Sequence, residues 1–564
     1  MVQAPGRTGF RGSRNFSLQP RFLLPVRNPL RRAITLAVLV SGLCLVPAAQ
    51  SALASTQQLS MFEDDVQLQR NPEATLNTFR ALGVGIARVY VSWRSIAPSP
   101  DSRSHPAGDL SNPAAYPPAN WDIYDRIVRD AAQRGITVDF TLSAPAPQWA
   151  LGTGAPAGAP LGVWKPSASE FGKFVHAVAT RYSGHYGGLP RIGTWAIWNE
   201  PNFGKDMGPQ AINRSTVLYS PVVYRGLVDA AWRSFQATGH GRDTILIGSL
   251  AARGATARPS RGAPEGLPGN FATTKPLQFI RALYCVDSRL RPIRGSVASI
   301  TGCPKNAAAT RRFRSAHPGL FSASGFADHP YPINQNPTRA ASRDPDYAEF
   351  NELPRLETLL DKVQRVYGSH KRFPIYVTEY GYVTNPPNHS NHYVSAATAA
   401  LYDNWAEYLS WRQPRIATSM QYLLIDPNPS VGVPEFGGFA SGLEYFGGGP
   451  KPIGGGLSML DSYRLPLFTP VTSVRHGRQL EVWGAVRSAH YARIDTGRAQ
   501  SVQIQIQPGS RGGFLIAKTI AITNPRGYFD TQIAFAQSGT VRLAWTPKPG
   551  VAPMYSRSQR ITIR

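Results

Sequence analysis

Cysteine is scarce, with three residues in 564. That excludes a disulfide-dense scaffold and any four-thiolate zinc or iron–sulfur site. No His-Glu-x-x-His, Cys-x-x-Cys or clustered His/Cys spacing occurs, so nothing in the sequence supports metal catalysis, and no cofactor is called for. No Gly-x-Gly-x-x-Gly follows the first apolar strand, which weakens a dinucleotide-binding open sheet. Acidic residues are few, 34 against 60 Lys and Arg, a net charge of +26. Such a balance favours an anionic surface or polymer as partner and says nothing about fold. Long apolar runs are also missing. The one at Ala33–Val46 has 14 residues, too short to span a bilayer comfortably.

That run belongs to a recognisable leader. Seven arginines (Arg7, Arg11, Arg14, Arg21, Arg27, Arg31 and Arg32) precede residue 55 without one acidic residue, and the small-residue stretch Ala52-Leu53-Ala54 closes the segment. A basic start, a short apolar run and an A-x-A site predict a secretory signal peptide over residues 1–54 and a secreted or extracytoplasmic protein. Retention of the segment as a membrane anchor is the alternative. Arg31-Arg32 before the run is a weak hint of twin-arginine export. Without the seven arginines the charge falls to +19. Cys44 leaves with the leader, and in an exported protein Cys285 and Cys303 can join as a disulfide closing a small loop.

With 42% hydrophobic residues, the remaining chain can build large cores. Eight β-rich apolar segments stand out: Leu59–Phe62, Ile86–Trp93, Ile136–Ser143, Ile192–Trp198, Thr244–Leu250, Ala323–Ala327, Phe373–Thr378 and Ala417–Ile425. Near-continuous apolar strands are what a parallel sheet covered on both faces requires. Helical spacing separates several of them, as in Trp121, Tyr124, Ile127, Val128 and Ala131, and in Phe171, Phe174, Val175, Val178 and Tyr182. The second pattern opens with Ser167-Ala168-Ser169-Glu170, a capping box. Eight strands alternating with helices predict a (β/α)8 barrel over 55–465, with a doubly wound open sheet as runner-up. Residues 251–320 read as a basic, irregular insertion after the fifth strand, with a short helical patch near Gln278–Tyr284 and pinned by the possible Cys285–Cys303 bridge. Beyond about 466 the period becomes two: Val502, Ile504 and Ile506 alternate with Ser501, Gln503, Gln505 and Gln507. This predicts a small all-β, immunoglobulin-like sandwich over 466–564.

Residues at the C-terminal ends of barrel strands face the active site. The fourth strand ends Trp198-Asn199-Glu200-Pro201-Asn202, and the seventh ends Thr378-Glu379-Tyr380-Gly381. Two carboxyl groups facing one cleft are what glycoside cleavage needs, one protonating the leaving oxygen and the other attacking or activating water. Singly, either Glu has a bland reading as a cap partner or surface ion pair; together, three strands apart, the two strings are far more specific.

These strings, with Ala87-Arg88-Val89, Trp93, Ala144-Pro145-Ala146-Pro147-Gln148-Trp149 and His329-Pro330-Tyr331, make most of residues 57–465 resemble the clan A glycoside hydrolases, retaining (β/α)8 glycosidases that include the cellulase-type family 5 and family 39. The resemblance implies Glu200 as general acid/base and Glu379 as nucleophile. By the same analogy Arg88 bonds Glu379 and keeps it charged, and Tyr331 donates to that carboxylate. Asn199 is placed to bond a sugar 2-hydroxyl, and His329 to line the pocket as a donor, unless it is a satisfied core histidine. Trp93, Trp149 and Trp198, with Tyr380 and Tyr382, are candidate stacking platforms for sugar rings, although core packing is expected for at least half of them. An aromatic is expected soon after the eighth strand, with Tyr445 or Phe436 as candidates. Polysaccharide or oligosaccharide is therefore the expected partner, and anionic envelope or acidic glycan a further electrostatic one. Scattered arginines without a basic helix or nucleic-acid motif give poor support to nucleic-acid binding. A non-catalytic carbohydrate-binding protein and a transglycosylase remain as alternatives to a hydrolase.

Overall fold

The computed structural model describes residues 57–212, 217–255, 269–388, 392–429, 439–509 and 512–564. The predicted leader and Phe436 lie outside them. Eight parallel strands form one sheet: β1 (Leu59–Glu63), β2 (Ile86–Ser92), β3 (Thr137–Ser143), β4 (Thr194–Ile197), β5 (Thr244–Ala251), β6 (Gly325–His329), β7 (Ile375–Val377) and β8 (Thr418–Tyr422). Their order is β7-β6-β5-β4-β3-β2-β1-β8. Between the two ends, Ile375 N–H donates to the Arg415 carbonyl at 2.7 Å and Ala417 N–H to the Ile375 carbonyl at 2.8 Å. The sheet thereby curls into a (β/α)8 barrel, and all eight predicted strands are present.

Ala196, Leu246 and Ala327 meet inside the barrel beside Tyr376. The outward-facing residues pack on the surrounding helices. The helix Asp122–Gln133 buries Tyr124, Ile127, Val128 and Ala131, and the helix Ala168–Arg181 buries Phe171, Phe174, Val175 and Val178. Each such side chain contributes roughly 1.5–3 kcal/mol by leaving water. Only half of the predicted capping box forms. Ser167 Oγ accepts from the Glu170 N–H at 3.4 Å, but the Glu170 carboxylate turns away to Lys173 and His105.

The segment after β5 is more ordered than its arginine-rich sequence suggests. It holds the helices Pro276–Leu283, Gly295–Ile300, Ala307–Ala316 and Pro318–Ser322. Asn306 caps the third by accepting from the Ala309 N–H at 2.9 Å, and Pro318 starts the fourth where its missing N–H costs nothing. Cys285 and Cys303 are bridged.

In the C-terminal region a three-stranded sheet (Leu467–Phe468, Leu480–Ala485, Tyr528–Ile533) faces a larger one (Ser473–Val474, Gln559–Ile563, Gly539–Trp545, Ser501–Pro508, Leu515–Ala521). Val482, Phe529, Val502, Ile504, Val541 and Leu543 form the core between them; Val502 and Ile504 are among the period-two residues read from the sequence. A helix at Ala489–Thr496 was not expected in that all-β region. The two halves are welded together. Trp405 stacks on Phe468, and Trp411 packs against Trp483 and Tyr528. Glu407 on the helix Ala396–Trp411 pairs with Arg487. Gly83, with φ of +82°, sits so close to Arg487 that a Cβ would meet its carbonyl carbon at 2.3 Å; only glycine fits there. Among the described residues no helix is long and apolar enough to cross a membrane.

Candidate active site

Glu200 follows β4 and Glu379 follows β7, both at the C-terminal end of the barrel. The β4 exit is strained: Trp198 and Glu200 have φ of +67° and +38°, a region that costs a side-chain-bearing residue on the order of 1–3 kcal/mol. Three contacts hold it. Trp198 N–H donates to the Leu142 carbonyl, Asn199 N–H to Ser143 Oγ, and Glu200 N–H to the Ser249 carbonyl, at 2.8–2.9 Å. The turn thus aims Glu200 across the barrel mouth, and one side-chain donor atom from each of Glu200, His329 and Glu379 lies within 4.8 Å of the other two.

Arg88 on β2 is fully buried at the centre. Its guanidinium bonds Glu63, donates to Glu379 Oε1 at 2.9 Å and to Asn199 Oδ1 at 2.7 Å. Tyr331 donates its hydroxyl to Glu379 Oε2 at 3.0 Å. Both oxygens of Glu379 are therefore held. Burial pushes its carboxyl up, and the charge of Arg88 opposes that rise. Glu200 carries no comparable partner. Burial pushes it up to about 7, with Arg88 at longer range pulling the other way. Both carboxyls are thus raised by burial, and of the two only Glu379 has a guanidinium in direct contact.

His329 does not line an open pocket. It is fully buried, with Nδ1 2.9 Å from Glu200 Oε1 and 3.5 Å from Glu379 Oε1. Burial pushes the imidazole down to about 4, so it is neutral at pH 7. Its Nε2 has no partner among the described residues. An orphaned N–H is costlier than an orphaned lone pair, which assigns the hydrogen to Nδ1, donating to Glu200 Oε1. That contact engages Oε1 of Glu200 and leaves Oε2 outside it.

Two carboxylates and an imidazole are also a donor set for a divalent cation. Here the Arg88 guanidinium already supplies the positive charge that such a cation would bring, and it repels a second one. The arrangement suits proton transfer and nucleophilic attack better.

The tryptophans read as sugar platforms are packed instead. Trp93 is fully buried, stacked on Phe174 at 5.6 Å and edge-on to Trp149 at 6.0 Å. Trp149 is 9% exposed and donates Nε1 to the Pro98 carbonyl. Trp198 is buried against Phe171, and Tyr380 and Tyr382 bond one another. The aromatic rings beside Glu379 are Tyr331, Tyr422 at the end of β8, and Phe439. Tyr331 and Phe439 lie edge to face at 4.9 Å, and Tyr422 and Phe439 at 5.7 Å. The aromatic expected after the eighth strand is thus placed by Tyr422 and Phe439. Tyr445 lies instead over Lys451.

Two acids escaped the sequence reading. Glu63 ends β1 with the same signature as Glu379, an apolar run closing on a carboxylate, and pairs with Arg88. Asp206, in the loop after Glu200, accepts from Asn199 Nδ2 at 3.1 Å. With Oδ1 bonded to Arg88 and Nδ2 to Asp206, the Asn199 amide is locked in one orientation.

No protein-family model matches the chain, and no curated protein matches it. Solved structures similar in outline include a family 39 glycoside hydrolase from Bacteroides cellulosilyticus WH2, at 13% identity over 85% of this chain and 81% of that one, TM-score 0.45. A glucosidase from Croceicoccus marinus shares 12% over 86% and 81%, TM-score 0.40. A family 1 b-glucosidase from Thermotoga maritima shares 15% over 64% and 78%, TM-score 0.37.

Proposed function

We propose that this chain is a retaining glycoside hydrolase that cleaves O-glycosidic bonds of a polysaccharide or glycoconjugate through a glycosyl-enzyme intermediate. The observation that carries the reading is the pairing of Glu200 and Glu379 across the barrel mouth, with oxygens within 4.8 Å. Retaining pairs stand ~5–5.5 Å apart, whereas inverting pairs, ~6.5–9.5 Å apart, leave room for a water.

In the first step Glu379, its charge balanced by Arg88 and its oxygens aligned by Arg88 and Tyr331, attacks the anomeric carbon. Glu200 gives its proton to the departing oxygen, and the glycosidic C–O bond breaks as the C–Oε bond to Glu379 forms. In the second step Glu200, now a carboxylate, takes a proton from water, which displaces Glu379. The locked Asn199 offers its remaining Nδ2 hydrogen toward the site, where the sugar 2-hydroxyl would sit. Export by the segment 1–54 is part of the proposal and fits a polymeric substrate.

The test is release of sugar by the chain from residue 55 across β-glucans, mannans, xylans, arabinogalactans and acidic exopolysaccharides, with product stereochemistry followed by NMR. Retained anomeric configuration is expected, with release falling about 10⁴-fold or more in Glu379→Ala. Inverted product, or undiminished release from the variant, overturns the assignment.

A further inference from the structure

A cleft of about 680 Å³ separates the barrel from the outer face of the larger C-terminal sheet. One wall is Ala397 and Leu401, near the start of the helix Ala396–Trp411, with the glycine-rich hairpin at Ile453–Leu457. The other is the sheet face that carries Gln507, Thr540, Arg542 and Gln559. That helix connects β7 to β8, so its first turns stand at the end of the barrel where the strands exit. The cleft is therefore at the same end of the barrel as Glu200 and Glu379, but apart from them.

Its charge is one-sided. Arg542 lies between the rings of Phe514 and Tyr555, at 3.7 and 3.8 Å from their centres, and donates Nε to Gln505 at 3.0 Å. Sandwiched in this way, the guanidinium plane is fixed before any ligand arrives. Arg557, buried at the cleft floor, spends bonds on Asn404 Oδ1 and on the Leu467 carbonyl. Among the described residues neither arginine has a carboxylate within 4 Å, and no Asp or Glu lines the cleft. Arg557 is buried and Arg542 partly so; a positive charge withdrawn from water without a counter-ion is costly, and an arriving anion relieves that cost.

The volume falls in the range of ligand pockets, ~300–1,000 Å³, far above what one small anion fills. The rest of the lining sets the amides and hydroxyls of Gln507, Thr540, Ser558 and Gln559 against the aliphatic Ala397, Leu401, Ile453 and Leu457, a mixture that suits a sugar ring, with its hydroxyl edge and apolar C–H face. Both ring faces nearest the cleft are occupied by Arg542, which leaves no platform for a nucleic-acid base.

We propose that this cleft is a second, non-catalytic glycan site that takes a carboxylated oligosaccharide, a run of uronic-acid units, with Arg542 as the carboxylate anchor. Guanidinium and carboxylate match in a planar, two-pronged contact. The site is independent of whether the carboxyl pair hydrolyses the same polymer.

The experiment is calorimetric titration of the chain from residue 55, carrying Glu379→Gln to stop turnover, with tetragalacturonate, a hyaluronan tetrasaccharide, cellotetraose and inorganic phosphate. Binding of at least one uronide is expected, weakened about tenfold or more by Arg542→Gln and by Thr540→Trp, which fills the cleft from the opposite approach. Circular dichroism checks that each variant is folded, and Thr540→Trp decides the matter where Arg542→Gln is not. Uronide binding that both folded variants leave unchanged, or no uronide binding at all, overturns the proposal. Phosphate binding as tightly as the uronide reduces the cleft to an anion site and overturns its glycan half. A failure of hydrolysis elsewhere leaves these readouts untouched.

Discussion

Two regions of this molecule bury charge, and they do so differently. At the barrel mouth Glu63, Glu200, Glu379 and Asp206 crowd around a single fixed cation, Arg88. Burial pushes all four carboxyls up, because one guanidinium cannot balance them. Where the barrel meets the C-terminal sheets the crowding is lighter, two acids to one cation: Asp403, beside the Glu407–Arg487 pair, is pushed up to about 8 by burial and by Glu407. Glu407 faces Arg487, Tyr528 donates to Glu407 at 2.8 Å, and Arg487 Nε donates to the Tyr463 carbonyl at 2.6 Å. The seam spends charge to hold two cores in one register. The mouth holds the larger excess of acid, a pattern that functional sites share. Four acids share one cation at the mouth and two share one at the seam, although both regions are buried.

The comparison is tested most severely at Glu200. Removing the acid's proton in Glu200→Gln should lower turnover on the order of 10²–10⁴-fold, and most for substrates with poor leaving groups. In the parent chain activity should fall as pH rises through about 7, where Glu200 loses its proton. The variant should lose that limb. Stability should move the other way. The folded carboxyl titrates near 7 and the unfolded one near its ordinary 4.5, so the folded state binds the proton more tightly. The stabilisation this gives is complete below 4.5 and is lost as pH rises through about 7. Glu200→Gln should therefore melt higher than the parent at pH 8 and show no such gain at pH 4. A variant that melts lower at pH 8 would place Glu200 with the structural charges.

At the seam the signs reverse. Arg487→Met strands Glu407 in the interior, and breaking a buried pair in this way costs about 3–5 kcal/mol. The melting temperature should drop sharply, while kcat per folded molecule stays at the parent value. A large loss of kcat with unchanged melting would mean that the seam takes part in the chemistry.

Much of this organisation is legible in the sequence, and the gaps have physical causes. The eight strands show because a strand covered on both faces must be apolar throughout. Glu200 and Glu379 show because each interrupts such a run at its exit. Glu63 does the same, but β1 is short and its apolar signal is weak. Which of the strand-end aromatics pack and which face the mouth was left open by the sequence, because strand alternation gives the facing of a residue only while the backbone stays extended. At Trp198 the left-handed turn resets it, and the ring faces Phe171. The role of His329 was out of reach for another reason: its partners come from β4 and β7, and no local pattern records a contact across the barrel. Of the helices after β5, the first was legible near Gln278–Tyr284; Ala307–Ala316 was hidden by its arginines, which are good helix formers but leave only Phe313 buried on its apolar side.

The weakest expected effect sharpens the contrast within the seam itself. Arg80 and Asp495 also join the barrel to the C-terminal region, at 2.6 Å, with side chains 27% and 50% exposed. Their geometry is as good as that of a buried pair, and Arg80 also lies over the ring of Tyr491 at 4.8 Å. Water changes the outcome. Either charge, left alone, is simply rehydrated, so Asp495→Asn should cost less than ~1 kcal/mol, and the difference should shrink further as added salt screens the parent pair. The cation–ring contact survives the substitution and keeps Arg80 in place. Denaturant titrations of both seam variants at low and high salt check the point. If Asp495→Asn cost as much as Arg487→Met, proximity alone would set the worth of an ion pair here, and the distinction drawn between mouth and seam, which rests on what remains when one partner is withdrawn, would fail with it.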